Sequence, residues 1–185
     1  MDQPDHPVST LARRVQLHRF LFLAIMVAVG LVLFMFENFL PQPLPGGRIG
    51  LSQLVTLLVL FWYGFPEALA VVLLRVFIGN LILGMLFSPV FVLSTTGAVV
   101  ALLVMATVRK VVPVFSIIGI SLIGALFHNL TQLVVAYGLF IERADIFWLL
   151  PYCIWVSVFS GLFIGFIAWF VLVKLKTSML PFFTS

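Results

Sequence analysis

Charge is what this chain has least of: Asp, Glu, Lys and Arg make up 9% of its 185 residues, against roughly 25% in an ordinary soluble domain. Apolar side chains make up 63% and mean hydropathy is +1.28, so too few polar residues remain to coat a water-facing surface. The solvent for most of the chain is therefore hydrocarbon. Ten Lys and Arg stand against six acids, for a net charge of +4. They are too few and too scattered to track a phosphate backbone, which excludes nucleic acid as a partner. The lone Cys153 excludes an internal disulfide, a thiolate iron–sulfur cluster and a closed zinc site.

Catalytic signatures are missing as well. No acid lies between Glu67 and Glu142, so the Asp-rich pairs that would hold magnesium and a prenyl diphosphate are absent. The zincin, nucleophile-elbow and P-loop patterns do not occur. A single intramembrane histidine, His128, cannot ligate haem from both faces. Thr95-Thr96-Gly97-Ala98-Val99 resembles the motif for covalent flavin attachment, but Val99 stands where the acceptor Thr is required. The expectation is a protein that is not an enzyme, with no catalytic residue, no metal site and no cofactor.

What the chain does have is long apolar runs. A helix needs about 20 such residues to cross hydrocarbon, and breaks at Pro, Gly and charged positions divide the chain into six pieces. The first, Phe20 to Leu40, follows Arg13, Arg14 and Arg19. It is too long for a signal-peptide core and lacks a cleavage site, so it reads as a retained span. Pro41, Pro43, Pro45, Gly46 and Gly47 close it. The second, Gly50 to Tyr63, is short and ends at Gly64-Phe65-Pro66; the third runs from Glu67 to Phe87. Pro89 opens the fourth, which reaches Val108, and Arg109, Lys110 and Pro113 separate it from the fifth, Val114 to Ile141. The sixth runs from Ile146 to Val173, before Lys174 and Lys176.

Charge placement favours six crossings over five with a re-entrant second segment, which would put the termini on opposite sides. With the N-terminus inside, Arg13, Arg14, Arg19, Arg109, Lys110, Lys174 and Lys176 are cytoplasmic, whereas Arg48 and Arg143 are outside and Arg75 lies within a helix. The expected fold is all-α: one bundle of six transmembrane helices over residues 17–176, flanked by cytoplasmic tails 1–16 and 177–185. Both termini face the cytoplasm of a bacterial inner membrane.

Polar side chains inside such a bundle carry the information about function. At 1.5 Å per residue, His128 lies roughly 21 Å and Asn80 roughly 20 Å above the cytoplasmic side, and Gln53, Thr56, Thr95 and Thr96 fall within roughly 10 Å of the outer surface. Glu37 and Asn38 end the first span, and Asn129 and Gln132 continue upward from His128. These heights predict a cavity opening outward, roofed by the loop from Pro41 to Gly50. His128 and Gln132 share one helix face, which suits either a common ligand or a hydrogen bond between helices. Arg75, roughly 12 Å deep, is costly there unless paired or hydrated. It either snorkels or pairs with a carbonyl, or it gives the cavity floor a positive charge for an anionic ligand group. Ala24-x-x-x-Ala28 and Ser157-x-x-x-Gly161-x-x-x-Gly165 mark close helix contacts, internal or with a second membrane protein.

A set of strings carries a family resemblance: Glu37-Asn38-Phe39-Leu40-Pro41, then Arg48 to Leu57, then Glu67-Ala68-Leu69 with Leu74-Arg75-Val76 and Gly79. Ser94 to Gly97 and Gly124 to Leu133, which contains His128, Asn129 and Gln132, complete it. The chain resembles, from about Phe20 to Val173, the Gx transporter family, often labelled heptaprenyl diphosphate synthase component I. That family is similar to the substrate-binding S components of energy-coupling factor transporters. The resemblance implies a six-helix S-component-like fold with its ligand site in the outer half, and assigns Ala24 and Ala28 to contact with an energy-coupling transmembrane subunit and its ATPases. It also keeps open a subunit of an isoprenoid, quinone or flavin-linked electron-transfer complex. The expected ligand is a small molecule met by Arg75, Asn80, His128, Asn129 and Gln132, with Glu37 and Gln53 near the entrance.

Overall fold

The computed structural model describes residues 7–39, 50–141 and 144–183, and among them the regular structure is entirely helical. Six α-helices follow one another: α1 Pro7–Phe39, α2 Gln53–Trp62, α3 Phe65–Ile82, α4 Pro89–Val111, α5 Ile117–Ala136 and α6 Leu150–Phe183. A π-helical turn, Tyr137–Ile141, and a 3-10 turn, Ala144–Leu149, lead from α5 to α6. Helix extends into both segments read as tails, since α1 begins at Pro7 and α6 continues to Phe183.

Against the six crossings expected, the second of them short, five helical segments among the described residues have the length and apolarity to cross a bilayer: Gln16–Phe39, Phe65–Ile82, Pro89–Val111, Ile117–Phe140 and Asp145–Lys174. The chain thus has the build of a multi-pass helical membrane protein. α2 differs because it has only 10 residues. At 1.5 Å each they extend about 15 Å, half of the hydrocarbon thickness. Its ends nonetheless meet different levels of α1. Ser52, just before α2, bonds Glu37, whereas Trp62 and Tyr63 at the other end pack their rings 5.3 and 5.4 Å from that of Phe22. Gly64, at φ 103°, makes the reversal into α3 in a conformation that disfavours a side chain, and Pro66 then starts the helix.

Apolar all round, α2 belongs inside the bundle. Val55 and every residue from Thr56 to Leu60 are buried, packed among α1, α3, α4 and α6. A buried helix end needs partners for its last carbonyls. Arg109 of α4 supplies them: Nη1 donates to the Leu60 carbonyl and Nη2 to that of Phe61 at 3.3 Å. Its guanidinium also lies 4.4 Å from the centre of the Phe61 ring. Nearby, Arg19 of α1 ion-pairs with Glu67 in the first turn of α3.

The third helix ends at Ile82 rather than Phe87. The Met85 N–H donates to the Asn80 carbonyl at 2.8 Å, and Ser88 caps α4 by accepting from the Phe91 N–H at 3.3 Å, with Pro89 in its first turn. The most extensive helix pair is α5 with α6. A Cβ on Gly161 would lie 2.7 Å from the Leu122 Cα, and one on Gly165 2.8 Å from that of Ile118. The Ser157-Gly161-Gly165 stripe is therefore an internal seam that brings two backbones together.

Candidate functional site

Five helices converge on one small cavity. α1 contributes Phe34 and Glu37; the turn before α2 contributes Gly50 and Ser52; α2 itself adds Gln53 and Thr56. Arg75 and Val76 come from α3, His128 from α5, and Ser94, Ala98, Ala101 and Met105 form the α4 wall. Its volume is ≈ 20 Å³, enough for about one water molecule. Two of the groups around it carry charge and are almost wholly withdrawn from solvent, Glu37 at 2% exposure and Arg75 at 3%. Such groups persist in a low-dielectric interior only when matched.

Ser52 joins them. Its hydroxyl donates to Glu37 Oε2 at 3.1 Å, and its backbone carbonyl accepts from Arg75 Nη1. Arg75 therefore does not snorkel. It bonds the Ser52 carbonyl and also lines the cavity. Gln53 reaches across to α4, its amide nitrogen 3.6 Å from the Met105 sulfur.

Glycines make room for these side chains. A Cβ on Gly79 would lie 2.6 Å from the Phe34 ring, one on Gly30 3.0 Å from Arg75 Cδ, and one on Gly124 2.5 Å from Met105 Sδ and closer still to the Gln53 amide. On Gly97 it would meet His128 Cε1 at 3.1 Å and Gln132 Cγ at 3.0 Å. Close helix approach thus leaves the polar chains a common space, where larger residues would force them outward.

His128 lines the cavity and pairs with Gln132 on its own helix at 3.1 Å between their Nε2 atoms. Gln132 is buried behind His128 and outside the cavity lining, with its Oε1 lacking a hydrogen-bond partner.

Other expected site residues are used elsewhere. Asn80 donates to the Val76 carbonyl at 2.7 Å, one turn back on α3. Asn129 donates to Ser157 Oγ at 2.8 Å and ties α5 to α6. Thr95 and Thr96 donate to the Phe91 and Val92 carbonyls, each at 2.7 Å, and Asn38 to the Phe34 carbonyl at 2.7 Å. None of these five lines the cavity. Conversely, Ser52 and Ser94 line it although absent from the expected ligand set, as does Thr56, which residue counting had put at this height. Ser52 and Thr56 lie one helical turn apart, a signal visible in the sequence.

The roof expected from Pro41 onward lies outside the described residues up to position 49, as do Arg48, Glu142 and Arg143. Ala24 and Ala28 are both exposed on α1. Among the described residues no three His, Cys, Asp or Glu side chains gather where they could hold a metal ion.

The family described as heptaprenyl diphosphate synthase component I matches this chain over residues 26–171. That stretch holds every cavity-lining residue and most of the five segments long and apolar enough to cross a bilayer. The chain belongs to that family. No curated protein and no solved structure matches it.

Proposed function

We propose that this member of the family is a substrate-binding protein of the bacterial inner membrane, S-component-like, that receives a small metabolite from the outer side. It supplies no catalytic group, and a separate coupling subunit with ATPases provides the energy. Six crossings, with α2 and its end turns as the short one, put both termini in the cytoplasm, in keeping with the cytoplasmic excess of Lys and Arg. The observation carrying this reading is the convergence of Glu37, Gln53, Thr56, Arg75, Ser94 and His128 from five helices on one cavity. Polar groups that served packing alone would need no common space. Gln132 orders the wall behind His128 and Asn80 does the same behind Arg75, whereas Asn129, expected at the ligand, serves instead to tie α5 to α6. Ala24 and Ala28, exposed and small, form the docking strip for the coupling subunit.

The family's description names a component of heptaprenyl diphosphate synthase, which favours one rival: a membrane subunit of an isoprenoid-related or flavin-linked complex, with the polar belt holding a partner or a lipid headgroup. Gentle detergent extraction followed by native mass spectrometry separates the two. In the uptake reading a small molecule stays with the wild-type protein, and Arg75→Leu and His128→Ala retain at least about tenfold less while remaining monodisperse. Unchanged retention in both variants removes these residues from the site. A prenyl synthase or flavoprotein held by a protein without small molecule establishes the rival.

A further inference from the structure

We infer that the connection between α4 and α5 is an anchor in the bilayer interface: Val111 and Val114 enter the boundary of the acyl chains, and Lys110 meets the phosphates of anionic lipids. This surface lies apart from the cavity and does not depend on whether the cavity takes a ligand.

The composition of the connection is the first observation. Val111 is 70% exposed and Val114 90%, and Val112 and Pro113 between them are exposed as well. A connection that faces water is ordinarily built from Gly, Asn, Asp and Ser. From Val111 to Ser116 only Ser116 has a side chain that forms hydrogen bonds, and its hydroxyl accepts from the Gly119 N–H at 3.1 Å to start α5. The turn is fixed in shape. The Phe115 N–H donates to the Val112 carbonyl at 3.1 Å, and the Phe115 ring folds back on α5, where a Cβ on Gly119 would lie 2.8 Å from it. Val114 is left projecting from the bundle.

Height decides what Val114 meets. α4 has 23 residues, about 34 Å of helix, against hydrocarbon about 30 Å thick, so its last turn reaches the edge of the acyl chains. A connection outside any helix goes no deeper, because its backbone groups need water or headgroups as partners. Apolar side chains on a hydrated backbone match the boundary between acyl chains and headgroups.

Charge then selects the lipid. α1, α2, α3 and α4 meet at this end of the bundle, where Arg109 holds the Leu60 and Phe61 carbonyls and Arg19 pairs with Glu67. Glu67 is the one acid at this end among the described residues, and Arg19 takes it. Lys110 is exposed beside the apolar turn, and Arg13 and Arg14, farther out along α1, are exposed too. Apolar side chains next to exposed cations are the combination by which a surface segment holds an anionic leaflet.

The test places a nitrobenzoxadiazole dye on Val114→Cys in a Cys153→Ala background, with the full chain in vesicles of phosphatidylglycerol and phosphatidylcholine. Lipid carrying a nitroxide near the top of its acyl chain is expected to quench the dye. Aqueous iodide should reach it at least about fivefold less than it reaches the dye on free cysteine. A companion assay needs no labelled variant: phosphatidylglycerol should raise the melting temperature of the wild type in detergent at lower concentration than phosphatidylcholine does, an advantage that added salt reduces. Lys110→Gln should cut that advantage about fivefold, the effect of one surface charge. The inference falls if iodide reaches the dye freely and the lipid nitroxide does not, which would leave the turn open to a protein partner. It falls equally if Lys110→Gln leaves the lipid preference unchanged.

Discussion

Around the cavity and along the α5–α6 seam the same bundle buries polar side chains in two different ways. At the seam, Asn129 meets Ser157 at 2.8 Å, and Ser157 in turn donates to the Cys153 carbonyl at 2.6 Å. Its glycines bring backbone against backbone, at Leu122 and Ile118. Around the cavity, Glu37, Ser52 and Arg75 form a chain of contacts linking three elements, the Thr56 hydroxyl stays open, and the glycines face flexible side chains instead. Polar groups bonded across one helix pair add cohesion at modest energy, even though Asn129 Oδ1 and the Ser121 hydroxyl in that seam are also without a hydrogen-bond partner. Polar groups gathered from five helices around a space hold that space ready for something else. In the proposed reading the first region stays shut and the second exchanges partners.

Matched glycine substitutions test that contrast most strongly. Gly161→Ala drives a Cβ to 2.7 Å from the Leu122 Cα, which cannot move without shifting α5, so thermal unfolding in detergent should show a loss of about 2–3 kcal/mol. Gly97→Ala presses only on His128 and Gln132 at 3.0–3.2 Å. It should fold with less than about half that loss but bind ligand more weakly. Equal destabilisation by both would erase the distinction.

A smaller effect is expected at the far end of α2. Arg109→Leu removes the donors to the Leu60 and Phe61 carbonyls and should cost about 1–3 kcal/mol by denaturant or thermal unfolding, without altering ligand preference. Smallest of all, Asn129→Leu breaks the Ser157 contact for about 0.6 kcal/mol, the average for such bonds between membrane helices. An unfolding loss several times larger would mean that the seam depends on its polar pair and not on its glycines.

Much of this organisation is legible in the residues. Pro66, Ser88-Pro89 and the charges near Arg109 mark helix ends close to where the helices begin and stop, and counting residues brings Glu37, Gln53, Thr56 and His128 to one level. Counting height does not give azimuth, however. Asn80, Thr95, Thr96 and Asn129 lie within the membrane-spanning helices as expected, yet each turns to its own helix or to a neighbour. Short polar side chains can do this wherever a carbonyl lies one turn back, and height alone cannot show it. The spacing of Ser52 from Thr56 is legible, but its bond to Arg75 is not, because that bond uses a backbone carbonyl and a helix distant in sequence. The length of α2 was in view from the start, since Gly50 and Gly64-Phe65-Pro66 leave little room between them.

The central claim is that polar groups around the cavity serve a ligand and those at the seam serve the fold. It is tested most directly by native mass spectrometry of Thr56→Val and Asn129→Leu prepared side by side with the wild type. Wild-type small-molecule occupancy in Asn129→Leu, with a fall of about tenfold in Thr56→Val at undiminished stability, is the predicted result. Undiminished occupancy in Thr56→Val, or an equal fall in both variants, would contradict it.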